Sequence, residues 1–348
     1  MALPWAGGAA YSAWPGKSSS AQTALVTIAL AGDTMLGRGV AELLARSPKA
    51  PLLAAEVTEL TRAADLFVCN LECCISDRGS RWPAPGKPFH FRAPPLAAQR
   101  LAEVGVDCVT LANNHALDFG PEALLDTLDH LATAGIQAVG AGADVERARR
   151  PALLVAGDFT LGVVGVTDHP EDFAAGPDRP GVALAPLRAG VPAWLADTVR
   201  SLAQRADAVL VTPHWGPNMT TEPVPHVRRA APLLLQAGAT LVAGHSAHLF
   251  HGVAGDVGGP VLYDLGDFLD DYAVDSRLRN DLGLLFLVRL DAGGPIELEA
   301  VPLELDYCHT RLAAGADAAW IAGRFRAACT ALGTEVAETG GHLLVRWR

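Results

Sequence analysis

Short runs of aliphatic residues recur along the chain, and segments with a helical spacing of apolar positions separate most of them. Residues 24–31, 66–69 and 208–212 are three such runs, and none contains a charged side chain. Uninterrupted apolar runs of this kind are typical of strands that are covered on both faces of a sheet. Their alternation with helices predicts an α/β fold.

The same pattern predicts the order of the elements. We expect strands over residues 24–31, 66–69, 106–111, 136–140, 152–155, 160–166, 208–212, 239–243, 260–264, 283–290, 296–305 and 343–345. We expect helices over residues 40–46, 52–64, 96–104, 121–134, 191–206, 224–237 and 314–332. Residues 76–95 and 168–181 are rich in Pro and charged residues and are predicted loops. We expect a hairpin across residues 291–294, a flexible segment at 1–22, and a single domain over 23–348.

Polar side chains follow five of the predicted strands. They are Asp33, then Asn70 and Glu72, then Asn113, Asn114 and His115, then His214, and finally His245 and His248. In open α/β sheets, binding sites form outside the carboxyl ends of the strands, so these segments are expected to meet in one cleft. Each residue also has an ordinary structural interpretation. Asp33 can cap a helix, and a lone His214 can be a buried core histidine.

The donor types in this set indicate which metals would suit it. Carboxylate, amide and imidazole groups together suit divalent Mn, Fe or Zn. The set contains no cysteine, which argues against a purely structural zinc site. The six cysteines show no Cys-x-x-Cys spacing, so neither a zinc ribbon nor a thioredoxin-like site is indicated. We interpret them as reduced thiols of a cytoplasmic protein.

Charge and length restrict the partners. The chain has 348 residues and a net charge of −11, which argues against a nucleic acid or an anionic membrane surface as the main partner. A local basic pocket for an anionic substrate stays possible on these grounds. The first 22 residues lack a basic start followed by an apolar core, and no stretch approaches the length of about 20 residues that spans a bilayer. We therefore expect no signal peptide and no membrane span, and the oligomeric state is left open.

The order of the motifs resembles the CapA family, named for poly-γ-glutamate capsule synthesis, within the metallophosphoesterase (calcineurin-like) superfamily. The matching segments lie between about residues 24 and 275 and come in the order of the family. They are Gly32-Asp33-Thr34-Met35-Leu36-Gly37-Arg38, Asn70-Leu71-Glu72, Asn113-Asn114-His115 with Asp118 and Gly120, His214-Trp215-Gly216, Gly244-His245-Ser246-Ala247-His248, and Tyr263-Asp264-Leu265-Gly266-Asp267-Phe268.

The resemblance implies a fold and a metal centre. The fold would be a four-layer α/β/β/α sandwich of two mixed sheets flanked by helices, with one or two divalent ions (Mn, Zn or Fe) at its edge. The implied metal ligands are Asp33, Glu72, Asn114, His214, His245 and His248. His245 would share one metal position with Asn114 and His214, and His248 would share the other with Asp33. The chain departs from the superfamily at Met35, where a histidine is usual, and from CapA proteins at Pro217-Asn218 and Asp267.

The resemblance also implies a chemistry. We expect a metal-dependent hydrolase or transferase that acts on a phosphoester or a γ-glutamyl-type amide of an anionic small molecule or peptide, through a metal-activated water. His115 would be the general acid and Asp118 would orient it, with Arg38 as a third catalytic candidate. The candidate substrate-binding residues are Arg38, Lys87, Arg92 and Asp267, although Lys87 and Arg92 can equally belong to a solvated basic loop.

Two other functions remain open from the sequence. The chain can be an accessory, non-catalytic component of poly-γ-glutamate-type polymer synthesis, which Met35 favours. It can also be a module that binds an acidic ligand on the same fold, although the acidic segment at residues 264–275 argues against this unless a metal bridges.

Overall fold

The computed structural model describes residues 25–83, 86–256 and 258–347. The flexible segment expected at residues 1–22 lies outside the described residues. The helices are α1 Arg38–Arg46, α2 Ala55–Ala63, α3 Leu96–Glu103, α4 Gly120–Thr133, α5 Val145–Ala148, α6 Ala193–Ala203, α7 Pro225–Gln236 and α8 Gly315–Thr330. Single 3₁₀ turns lie at Glu171–Phe173 and Leu187–Ala189.

The strands in the first part of the chain are β1 Val26–Thr34, β2 Leu66–Leu71, β3 Cys74–Ile75, β4 Arg92–Ala93, β5 Cys108–Thr110, β6 Gln137–Val139, β7 Ala141–Gly142, β8 Ala152–Ala156, β9 Phe159–Thr167 and β10 Gly181–Val182. Those in the second part are β11 Ala208–His214, β12 Leu241–Ala243, β13 Val253–Asp256, β14 Gly259–Leu262, β15 Asp267–Leu269, β16 Leu282–Asp291, β17 Gly294–Asp306, β18 His309–Leu312, β19 Ala337–Thr339 and β20 His342–Arg346.

Both large sheets are mixed. The first has the order β19-β20-β17-β16-β1-β2-β5-β6, with β15 beside β1 and β18 beside β17. Within it, β1, β2, β5 and β6 are parallel, and β16 joins β1 in the antiparallel sense. The second sheet has the order β13-β14-β12-β11-β9-β8, with parallel strands at its centre and antiparallel strands at both edges.

Alternate side chains of each sheet enter different hydrophobic layers. From β1, Ile28 and Leu30 pack between the two sheets together with Leu161 and Val163 of β9. The intervening Ala29 and Ala31 face the core that contains buried side chains of α1 to α4. The outer face of the second sheet packs on α6 and α7. These cores confirm the expected four-layer α/β/β/α sandwich of two mixed sheets.

The element predictions hold for most of the longer runs, and the differences have local causes. Strand β1 continues past residue 31 to Thr34 because β2 and β15 pair with this extension. Helix α2 begins at Ala55 because residues 53 and 54 bond to the strand segment around Thr310. Short strands such as β13, β15 and β18 are too brief for a periodic signal in the sequence.

Two further expectations concern larger properties of the chain. No described helix of residues 25–347 is long and apolar enough to cross a membrane. All six cysteines are buried and carry free thiols. The single domain over residues 23–348 and the cytoplasmic location stay predictions.

Candidate metal centre

Asp33 lies near the end of β1, where the strand is held by close backbone contacts. The Asp33 amide donates a hydrogen bond to the Gly266 carbonyl over 2.8 Å. A chain of side-chain amides then orients the carboxylate. Asn70 Nδ2 donates to Asp33 Oδ1 over 2.6 Å, and Asn113 Nδ2 donates to Asn70 Oδ1 over 2.9 Å. The ends of β1, β2 and β5 are therefore connected, and Asp33 Oδ2 is left without a hydrogen-bond partner.

Asp33, Glu72 and His248 form a buried cluster whose potential ligand atoms all lie within 4.8 Å of one another. His248 Nδ1 lies 3.1 Å from Asp33 Oδ2 and 2.8 Å from Asp267 Oδ1. The backbone of His248 is in the left-handed region, with φ at +58°. Such a conformation is costly for a residue with a Cβ and is often found at functional sites.

His214 and His245 lie side by side on the second sheet, where their backbones form an isolated parallel bridge. His245 Nε2 is 2.6 Å from Thr212 Oγ1, and its Nδ1 lies 3.9 Å from Asp33 Oδ1. Burial lowers the pKa of His245 to about 4, and burial also holds the pKa of His214 well below its usual value. Both rings are therefore neutral at pH 7, which is the form that binds metal.

The two carboxylates of the cluster differ in pKa. Burial opposes ionisation of Asp33, but the hydrogen bond and charge of His248 hold the pKa of Asp33 below its usual value. Burial, reinforced by the nearby Asp33 charge, raises the pKa of Glu72 well above its usual value. Burial also opposes the charged form of His248, but the Asp267 and Glu72 carboxylates hold the pKa of His248 well above its ordinary value. The charged form of Glu72 is therefore disfavoured as long as no cation lies beside it.

Unpartnered polar atoms show whether the residues fit a metal ion. Buried polar groups nearly always have hydrogen-bond partners, and leaving one without a partner is costly. In the described residues, buried side-chain atoms without hydrogen-bond partners include Asp33 Oδ2, both Glu72 carboxylate oxygens, Asn114 Oδ1, His214 Nδ1, His245 Nδ1 and Asp267 Oδ2. These are oxygen and nitrogen atoms with free lone pairs, at the ends of neighbouring strands. The residues therefore fit a divalent cation.

His115 is held beside this cluster. Its Nδ1 lies 2.6 Å from Asp118 Oδ2, and its Nε2 lies 3.8 Å from Glu72 Oε1. The ring stacks on Phe91 with 4.2 Å between the ring centroids. Burial lowers the pKa of His115 to about 4, although the hydrogen bond to Asp118 opposes this. Lys87 Nζ lies 3.0 Å from Asp118 Oδ1 and donates to the Asn114 carbonyl over 2.7 Å.

The other predicted substrate-binding residues have partners of their own. Arg38 pairs with Asp271, and its guanidinium lies over the rings of Phe89, Phe91 and Tyr272. Arg92 lies over the Phe119 ring and donates to the Arg78 carbonyl over 3.1 Å. Asp267 is buried against His248, within the cluster.

Met35 occupies the position at which the superfamily usually has a histidine. It is fully buried in the core under the first helical layer, and its sulfur accepts a hydrogen bond from the Gly37 amide over 2.9 Å. Asp33 and His248 therefore keep their contact without a third ligand from this position.

Several residues that shape the centre were not identified from the sequence. Asp264 accepts hydrogen bonds from the amides of Ala247 and Gly266, which ties the two turns that carry His248 and Asp267. Its signal was its position within the motif at residues 263–268. Thr212 beside His245 and the unpartnered Tyr272 hydroxyl have no such signal, because only the packing brings them to the centre.

His251 gives a test of the electrostatics outside the ligand set. Burial lowers its pKa to about 4, and its Nε2 contacts the Thr220 carbonyl over 2.8 Å. Because this pKa is below the ordinary value of 6.5, the folded protein binds fewer protons than the unfolded chain between about pH 6.5 and 4. We expect the free energy of unfolding of the metal-free protein to decrease as the pH is lowered through this window. In the His251→Gln variant the slope should be shallower by up to about 1.4 kcal/mol per pH unit.

Urea unfolding at half-unit pH steps measures this slope. His309→Gln, at a partly exposed histidine on β18, is the control. Parallel pH profiles for the wild type and His251→Gln would contradict the assignment.

Known proteins with similar sequences point to one family. The family described as Bacterial capsule synthesis protein PGA_cap matches residues 27–272. A probable polyglutamine synthesis accessory protein of Mycobacterium tuberculosis is 32% identical, and the alignment covers 92% of this chain and 95% of the relative. The PGA biosynthesis protein CapA of Bacillus subtilis is 26% identical, with 84% of this chain and 76% of the relative covered.

Among solved structures, a Staphylococcus aureus protein assigned provisionally as a 5'-nucleotidase, in complex with α-ketoglutarate, is 14% identical with a TM-score of 0.44. The alignment covers 83% of this chain and 54% of that protein. The fold assignment rests on the layers and strand order of the chain itself. The match over residues 27–272 and the relative with 32% identity show that this chain belongs to the family of bacterial capsule synthesis proteins related to CapA.

Proposed function

We propose that the chain is a metal-dependent hydrolase or transferase that acts on a phosphoester or a γ-glutamyl-type amide. The observation that carries this proposal is the convergence of unpartnered, buried carboxylate, amide and imidazole atoms at the strand ends. A structural core would leave few such atoms without partners. The names of the Bacillus relatives, which refer to PGA and capsule biosynthesis, support a glutamyl substrate.

The residues that would hold one or two divalent ions are Asp33, Glu72, Asn114, His214, His245 and His248. A bound Mn, Zn or Fe ion would lower the pKa of water toward about 7 and offset negative charge on the substrate. Asp267 would orient His248 through the hydrogen bond between them. Thr212 would orient His245 in the same way, since its hydroxyl engages Nε2 and leaves Nδ1 directed to Asp33.

His115 would transfer the proton to the leaving group. Asp118 engages Nδ1, so Nε2 is the nitrogen that faces Glu72 and the centre. At neutral pH the low pKa keeps the ring neutral in the free protein. The negative charge of a bound substrate would raise this pKa, which would let His115 carry the proton. Lys87 would act through Asp118, because its charge lies against the other oxygen of that carboxylate.

The contacts of the four proposed substrate-binding residues suggest different roles for them. Arg38, with a side chain that is one-third exposed, could engage an anionic group while Asp271 keeps its guanidinium in position. Arg92 and Lys87 would contribute mainly by ordering the loop above His115. Asp267 would contribute to the centre and not to the substrate.

Metal content and turnover test this function together. We expect protein purified with Mn²⁺ or Zn²⁺ to retain a divalent ion and to hydrolyse a compound in a screen of phosphoesters and γ-glutamyl peptides. His245→Ala should lose most of the metal, whereas His115→Ala should keep the metal and lose about 100-fold or more in kcat. Elemental analysis and steady-state kinetics are the measurements.

His309→Ala, at a partly exposed position on β18, serves as the control for these variants. Equal activity in the wild type, His245→Ala and His115→Ala would exclude this site as the source of turnover. Absence of a bound ion after purification with Mn²⁺ or Zn²⁺ would exclude the metal-dependent enzyme.

A second candidate is an accessory, non-catalytic component of polymer synthesis. The relative from Mycobacterium tuberculosis is named an accessory protein, and Met35 leaves the centre with one fewer histidine than the superfamily usually has. This candidate predicts a metal-loaded protein without turnover in the same screen.

A further inference from the structure

A second polar cleft lies on the side of the second sheet that carries α7. The start of α7 packs on the 3₁₀ turn Leu187–Ala189, and this contact brings two arginines into one wall. The cleft has a volume of about 290 Å³ and is lined by Arg188, Pro217, Val224, Pro225, His226 and Arg229. Its polar side chains are therefore two guanidinium groups and one imidazole, and no lining residue is a carboxylate.

The two arginines are free to bind a ligand. Arg188 and Arg229 are both exposed, and neither forms an ion pair within residues 25–83, 86–256 and 258–347. Arg228, the next residue in sequence, is paired with Glu222 at 3.3 Å. Arg38 and Lys87, which the sequence suggested as anion-binding residues, pair with Asp271 and Asp118. Arg188 and Arg229 therefore give this cleft two positive charges that no carboxylate of the described residues offsets by an ion pair.

A buried carboxylate connects the cleft with the candidate metal centre. Asp168 accepts a hydrogen bond from His226 Nε2 over 2.8 Å and from the Gly216 amide over 3.2 Å. Its other oxygen contacts His169 Nδ1, and the His169 ring lies 5.4 Å from the His214 ring between centroids. Asp168 thus fixes one wall of the cleft and a neighbour of a proposed metal ligand at the same time.

We propose that this cleft is an anion-binding subsite for the carboxylate or phosphate groups of an extended substrate. Guanidinium groups bind both kinds of oxygen through paired, charge-assisted hydrogen bonds. The first turn of α7 adds a favourable partial charge. The placement of the reacting bond at the metal centre rests on the proposed function, whereas anion binding in the cleft does not.

Calorimetric titration of the intact protein at low ionic strength tests the subsite. The probes are inorganic phosphate and a γ-linked tetraglutamate. We expect the Arg188→Gln/Arg229→Gln variant (the cleft variant) to bind at least one of these probes at least about tenfold more weakly than the wild type. The control is Arg62→Gln/Arg205→Gln, which removes two positive charges at exposed positions elsewhere and should bind within about twofold of the wild type.

The outcomes separate the sources of the anion. If the cleft variant loses affinity only for tetraglutamate, the cleft binds carboxylates. If it loses affinity only for phosphate, the cleft binds phosphoryl groups. Three results would overturn the proposal. The cleft variant could bind both probes as tightly as the wild type, the control variant could lose as much affinity as the cleft variant, or the wild type could bind neither probe.

A variant of the metal centre separates this proposal from the proposed function. The Glu72→Gln variant should bind the probe as the wild type does. If this variant does not bind the probe, the probe binds at the metal centre and the proposed subsite is wrong. If metal and turnover are both absent but binding still depends on Arg188 and Arg229, only the proposed function fails.

Discussion

Replacing Glu72 by glutamine is expected to weaken divalent-metal binding by at least about 100-fold and to stabilise the metal-free protein. The Glu72 carboxylate is buried, and neither of its oxygens has a hydrogen-bond partner among the described residues. Glutamine has nearly the same shape and no charge, so this substitution removes a buried negative charge with little change in packing. We expect a gain of about 1–3 kcal/mol in the free energy of unfolding without metal.

The pH dependence of this gain has a definite sign. Burial and the Asp33 charge raise the pKa of Glu72 above its ordinary value of 4.5. The folded protein therefore holds this proton more tightly than the unfolded chain, and the destabilisation by Glu72 increases as the pH rises above about 4.5. The gain in Glu72→Gln should be larger at pH 8 than at pH 5.

Urea unfolding in the presence of a chelator and calorimetric titration with Mn²⁺ measure the two effects. Glu59→Gln, at an exposed position of α2, is the matched control and should change neither quantity. Unchanged metal affinity in Glu72→Gln would remove Glu72 from the ligand set. Lower stability without metal would mean that the carboxylate is already satisfied in the folded chain.

Replacing Gly32 by alanine is expected to destabilise the fold by about 3 kcal/mol or more and to disrupt the metal centre. A Cβ at residue 32 would lie 1.8 Å from the Gly266 carbonyl oxygen. The neighbouring Asp33 amide donates to that same carbonyl, so the two backbones cannot separate without moving Asp33. The side chain that binds Asn70 and His248 would then be displaced.

Gly323→Ala is the matched control for this change. Gly323 is inside α8, and a Cβ there meets no atom within 4 Å. Alanine should stabilise this helix by up to about 1 kcal/mol. Thermal unfolding compares the stability of the two variants, and titration with Mn²⁺ compares their metal binding. Equal stability of Gly32→Ala and the wild type would show that the contact between residues 32 and 266 can relax.

Much of the fold follows from local patterns in the chain. The apolar runs become β1, β2, β9 and β11 because an uninterrupted aliphatic segment can be buried only where both faces of a sheet are covered. The order of these runs and the polar residues after them also place Asp33, Glu72 and the histidines at the edge of the sandwich. Motif order then indicates the family that residues 27–272 match.

The role of each side chain at the site depends on contacts between residues that are far apart in the sequence, and a local pattern does not predict these contacts. Asp267 lies within a recognised motif, yet only the approach of β15 to β1 places its carboxylate against His248. Lys87 and Arg92 are close together in the sequence, but packing directs one to Asp118 and the other to Phe119.

The sequence by itself determined the α/β class, the order of most strands and helices, and the set of residues gathered at the strand ends. The tertiary structure alone decided which of these atoms remain without partners, and that Arg188 and Arg229 share a cleft. The physical reason is that strand and helix formation reflects hydrophobic spacing within short segments. Burial, pairing and electrostatic environment instead depend on residues that are far apart in the chain and meet only after folding.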